Sequence, residues 1–151
     1  FALQRWALPY EAAGVESINH LEAAAGKWLA ENSTPGASAA ARDIGALRYF
    51  SERRVVDLAG LVNAEAAGRN PVRVLDQSGV DYLVLMPYGG HPLLKDRPFR
   101  LAARFRWDAN VTAFFDVKPR PWTVLGVLLT GVKVKAVPAE FAVLELIHPS
   151  P

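Results

Sequence analysis

The chain has 151 residues, of which 51% are hydrophobic and 21% charged, with 17 basic against 15 acidic side chains. This length and balance suit one domain with a single core and argue against disorder, and a net charge of +2 gives little of the basic excess expected of a nucleic-acid binder. The absence of cysteine excludes disulfides, thiolate metal sites and a cysteine nucleophile.

In chain order, residues 1–14 are irregular and contain Trp6, Pro9, Tyr10 and Gly14. They predict an N-terminal arm over residues 1–15, either docked on the domain or following a membrane span, because Trp and Tyr favour the membrane interface. A single α/β domain is expected over residues 16–151. The first residue is Phe1 rather than Met, which suggests processing or a piece of a longer protein. A membrane-spanning helix needs about 20 apolar residues. The longest candidate, Trp122 to Val132, is shorter and holds Gly126 and Gly131.

Residues 16–32 predict a helix, with Ser17 as N-cap and with Ile18, Leu21, Ala25, Trp28 and Leu29 on one face. Thr34-Pro35-Gly36 ends it. Ala37 to Arg42 reads as a small-residue strand, and residues 44–50 as a short helix capped by Asp43. Arg53 to Leu58 is the second strand. Residues 62–69 are a short helix or loop. Residues 71–79 predict a helix opened by Pro71 and closed by Gly79. Asp81 to Met86 is a continuous apolar run, as in a strand buried on both faces of a parallel sheet.

The period then changes to two. Phe99, Leu101, Ala103, Phe105 and Trp107 alternate with Arg100, Ala102, Arg104 and Arg106, which predicts a strand with one basic face. Asn110 to Val117 would pair with it as a hairpin. Residues 122–130 fit a strand or a short helix equally, Val132 to Ala136 alternate as a strand, and Phe141 to Ile147 form a last one. The expected fold is α/β, with α+β as the alternative: a three-layer arrangement with βα units over residues 37–86 and antiparallel strands over residues 98–147.

Three groups are candidates for chemistry. Asp43 and Asp57 would stand at the exits of neighbouring strands, where α/β sheets hold ligands; their plain alternative is helix capping and a turn bond. The loop Tyr88-Gly89-Gly90-His91 offers backbone access and a titratable imidazole, or only an exposed turn. Arg100, Arg104 and Arg106, with Lys95 and Arg97 nearby, would contact a lipid or sugar phosphate, or merely wet an edge strand. His20, His91 and His148 are scattered without zinc spacing. The chain lacks a G-x-x-x-x-G-K-[ST] loop, a G-x-G-x-x-G fingerprint and a G-x-S-x-G elbow. No catalytic set, metal or cofactor is expected.

One stretch points further. Trp28-Leu29-Ala30-Glu31-Asn32, Thr34-Pro35-Gly36, Asp43-Ile44-Gly45-Ala46-Leu47, Tyr49-Phe50-Ser51, Arg54 to Leu61 and Val80 to Leu85 form a series. It resembles the soluble C-terminal domain of bacterial GT-C type membrane glycosyltransferases, similar to the dolichyl-phosphate-mannose-protein mannosyltransferase and aminoarabinose transferase class. The resemblance covers residues 16–88 in motif and departs after residue 107. It implies a domain that does not catalyse alone and whose parent is a glycosyltransferase using a lipid-phosphate-linked sugar. The implied location is the extracytoplasmic, or periplasmic, face of the cytoplasmic membrane. The implied partners are the parent's membrane domain and the lipid-linked sugar, with no nucleic acid. No catalytic residue carries over. A free-standing binding module for a small polar ligand, using Asp43, Asp57 and residues 88–91, is the rival expectation.

Overall fold

A computed structural model describes residues 15–63, 66–85, 91–107 and 139–148. Residues 15–32 are one helix interrupted by a π-turn at Asn19–Ala23, and its α-helical part α1 spans Ala24–Asn32. The elements that follow are β1 (Ser38–Ala41), α2 (Gly45–Ser51), β2 (Arg54–Asp57), α3 (Pro71–Ser78), β3 (Tyr82–Leu85), β4 (Phe99–Trp107) and β5 (Ala139–Leu146). A 3-10 turn occupies Pro92–Leu94. The expected N-terminal arm, the Asn110–Val117 hairpin, the 122–130 segment and the Val132–Ala136 strand lie outside the described residues.

The five strands form one mixed sheet in the order β2-β1-β3-β5-β4. β1 runs parallel to β2 and β3, and β5 runs antiparallel to β3 and β4. This is an α/β fold in three layers. On one face Leu21, Ala25 and Leu29 of the long helix and Leu47 of α2 pack on Ala39, Ala41, Val84 and Val143. On the other, Leu75 of α3 packs with Ala40, Leu83, Leu85 and Leu144. β3 feeds both cores through alternate residues, as its continuous apolar run predicts.

Local signals explain most boundaries. The Asn70 side chain caps α3 by accepting the Val72 N–H at 2.9 Å, Pro71 takes the first helical position, and Gly79 closes the helix. The amino ends of β1 and β3 are joined by Asp81, whose carboxylate accepts the Ser38 N–H at 2.8 Å and hydroxyl at 3.0 Å. α1 and α2 meet at Gly26, where a Cβ would stand 2.9 Å from the Leu47 carbonyl oxygen and 3.0 Å from the Phe50 Cβ. Only glycine fits that crossing.

Four expectations need correction. Residues 15–18 are already helical, so Ser17 lies inside the helix rather than capping it. The π-turn holds one extra residue per turn and shifts the phase of the apolar face. Ile18 is therefore 45% exposed while Glu22 is only 6% exposed. Asp43 does not cap α2: the N-cap position is Ile44, without a side-chain bond. Finally, β4 does not have one basic face. A bulge between Leu101 and Ala103 inverts the alternation, so Arg100 pairs in register with Glu145, whereas Arg104 pairs with Ala142 and Arg106 with Glu140. Successive residues of β5 face opposite sides, so Arg100 lies on one face and Arg104 and Arg106 on the other.

Candidate functional site

The chain passes from β1 to β2 through α2 on one face, then from β2 back across β1 to β3 through α3 on the other. Crossovers in opposite directions put the topological switch point at the carboxyl ends of β1 and β3, the usual ligand position in such sheets. Arg42 and Asp43 leave β1 at this edge, and His91 follows β3. Tyr88, Gly89 and Gly90 lie outside the described residues.

Asp57 does stand beside the end of β1, in register with Ala41. Its carboxylate, however, turns into its own loop. One oxygen accepts the N–H groups of Ala59 at 2.8 Å and Gly60 at 3.0 Å, and the other accepts that of Val62 at 2.8 Å. Burial alone would raise this carboxyl, but the backbone N–H groups of Val62, Ala59, Gly60 and Leu61 outweigh it and hold the pKa below the ordinary value. Asp57 is thus the post around which residues 58–62 are wound. The loop it pins presents Leu61 and Val62 to solvent, 84% and 71% exposed.

Asp43 is exposed and makes no cap bond. Its electrostatic neighbour is Glu22, which the π-turn has carried inside. Glu22 Oε2 is buried without a hydrogen-bond partner among the described residues. Burial raises the Glu22 pKa, its own backbone N–H partly opposes this, and the charge of Asp43 raises it further. Periodicity reads Glu22 as a solvent-side helix residue, so the sequence carries no direct sign of its burial. The one indirect sign is the neighbouring triplet Ala23-Ala24-Ala25, small enough to bring that stretch of helix close to the sheet.

His91 Nδ1 accepts the Leu93 N–H at 3.2 Å and so caps the 3-10 turn. Burial lowers its pKa, and the positive charge of Arg42 lowers it further. A neutral ring with Nδ1 accepting carries its proton on Nε2. His91 therefore offers the edge a donor rather than a base.

The strand arginines are engaged elsewhere. Arg100 pairs with Glu145, Arg104 with Glu140 at 3.0 Å, and Arg97 with Asp76. These pairs account for the charges as cross-strand and helix-docking contacts, and Arg106 also has an interaction of its own. The described residues contain no group of three His, Asp or Glu side chains that could hold a metal ion, and no helix among them is long and apolar enough to cross a membrane.

The edge thus combines acceptors, Asp43 and Glu22, with donors, Arg42 and His91. Such a set suits the hydroxyl groups of a polar ligand. Among the described residues no Ser or Thr hydroxyl is bonded to a histidine.

A family model described as a domain of unknown function (DUF8728) matches residues 10–137. The chain belongs to the DUF8728 family. No curated protein and no solved structure matches it. The DUF8728 span takes in Glu22, Asp43, Asp57 and His91 and stops just before β5, the strand that closes the sheet between β3 and β4.

Proposed function

We propose that this chain is a non-catalytic domain of a membrane-embedded glycosyltransferase that uses a lipid-phosphate-linked sugar, standing on the extracytoplasmic side and helping to hold acceptor or donor. The observation that carries the reading is what becomes of the stretch bearing the resemblance. Residues 43–61 build α2 and β2 and end on the Asp57-pinned loop, which offers Leu61 and Val62 as a rigid apolar tip. An apolar tip of this kind suits packing against the membrane part of a parent protein. The acid edge beside it leaves Asp43 free to accept from sugar hydroxyls.

The test is the full reading frame that encodes the chain. Hydrophobic spans joined to it are expected, and a frame without any would remove this reading.

A second reading, a free-standing module for a small polar ligand, is favoured by the unpartnered Glu22 oxygen. A thermal-shift series with sugars and sugar phosphates tests it. Saturating ligand at about 100 times Kd adds about 2.7 kcal/mol of stability. A flat series, with Glu22→Gln and wild type alike, would count against it.

A further inference from the structure

A cleft of about 180 Å³ lies along β2, the edge strand, on the side of α3 and apart from the carboxyl-edge site. Its walls bring together Arg54 of β2, Arg69 from the turns that follow and Gln77 near the end of α3, with Val56 and Val74. Strand geometry sends the consecutive Arg53 and Arg54 to opposite sides. Arg53 is spent inside the fold on four hydrogen bonds to Ser33, Ala30 and Ser51. Arg54 goes to the cleft, where its guanidinium makes one long bond, 3.3 Å, to the Ser78 carbonyl. Among the described residues Arg69 has no side-chain partner and no carboxylate lines the cleft. The contrast is with Arg97, Arg100 and Arg104, each of which has its own carboxylate.

We infer that this cleft is a binding site for a phosphate group, held between the guanidinium groups of Arg54 and Arg69. The planar fork of N–H donors on each arginine matches phosphate oxygens two at a time, and an anion lying between them relieves the repulsion of two like charges. The volume is below the range of about 300–1,000 Å³ usual for a whole drug-sized ligand. It therefore suits a phosphate head whose remainder lies outside. The same chemistry comes from a soluble phosphate ester or from a lipid headgroup. The inference does not rest on the glycosyltransferase reading, because a phosphate site on β2 stands whether or not the parent spans a membrane.

The test titrates inorganic pyrophosphate into the full chain at low salt, followed by amide chemical shifts, with a parallel arm of phosphatidylcholine vesicles with and without phosphatidylglycerol. Shifts centred on Arg54, Arg69 and Gln77, weakened at least about tenfold in the Arg54→Gln/Arg69→Gln variant, support the site with a soluble phosphate. Retention on phosphatidylglycerol vesicles that the same variant loses supports it with a lipid source. Both positions are exposed, so the variant should melt as the wild type does. If it fails to fold, Arg54→Lys and Arg69→Lys keep the charge, remove the fork and are expected to weaken binding. No response in either arm, or a response these substitutions leave unchanged, overturns the inference.

Discussion

Arg53 Nη2 donates to the Ala30 carbonyl at 2.9 Å, so the residue before β2 closes the end of α1. The same guanidinium reaches the Ser33 carbonyl at 3.0 Å and hydroxyl at 3.1 Å, and the Ser51 carbonyl at 3.1 Å. A cation on the last carbonyls of a helix also meets the negative end of its dipole. Arg53→Ala should lower stability by about 2–3 kcal/mol, from several charge-assisted bonds lost together. Arg53→Lys should recover only part of it, since an ammonium cannot reach three directions in one plane. Urea denaturation checks both.

Glu22 predicts a pH effect of definite sign. Its pKa is raised in the folded chain, so the native state binds the proton more tightly than the unfolded state. Its contribution is fully present below the unfolded pKa and is lost as pH rises through the folded value. Glu22→Gln removes that titration. The variant should gain about 1 kcal/mol over wild type near pH 8 and lose the advantage near pH 4. Thermal melts across that range decide it. A gain independent of pH would mean that charge is not the cause.

Asp57 has the opposite sign. Its pKa is lowered, so its contribution is present above the unfolded value and is lost as pH falls through the folded one. Asp57→Ala leaves the Ala59, Gly60 and Val62 N–H groups without their acceptor and should cost about 3 kcal/mol. Faster hydrogen exchange at Ala59, Gly60 and Val62 should accompany the loss. Leu61→Ser, at an exposed position, should change stability by under about 0.5 kcal/mol in the same denaturation assay.

Gly26→Ala tests the α1–α2 crossing. Alanine favours a helix over glycine by about 1 kcal/mol, yet here its methyl group meets the backbone oxygen of Leu47. Overpacking should win, with a net loss of about 1–2 kcal/mol by denaturation. A more stable variant would show that the two helices can separate without penalty.

The strands and helices that depend on neighbours in sequence were legible without the structure. Pro71 and Gly79 bracket α3, the run Asp81 to Met86 reads as a doubly buried strand and holds β3, and β1 and β2 come out parallel with Asp57 at the exit of one and Asp43 just past the other. Turn chemistry and side-chain period are local properties, so the order of residues within each segment carries them.

Two single-residue irregularities were not legible, the π-turn at Asn19–Ala23 and the bulge between Leu101 and Ala103. Each leaves composition unchanged and rotates the residues beyond it relative to those before. Whether a chain accepts one depends on contacts with elements far away in sequence. The first buried Glu22 beside Asp43, and the second split the arginines of β4 between two faces. The direction of a carboxylate is equally non-local in consequence. Asp43 and Asp57 leave neighbouring strands at the same edge, but three backbone N–H groups claim Asp57 and none caps through Asp43. Sequence placed both acids at that edge, and packing decided that Asp57 turns into its own loop while Asp43 stays exposed.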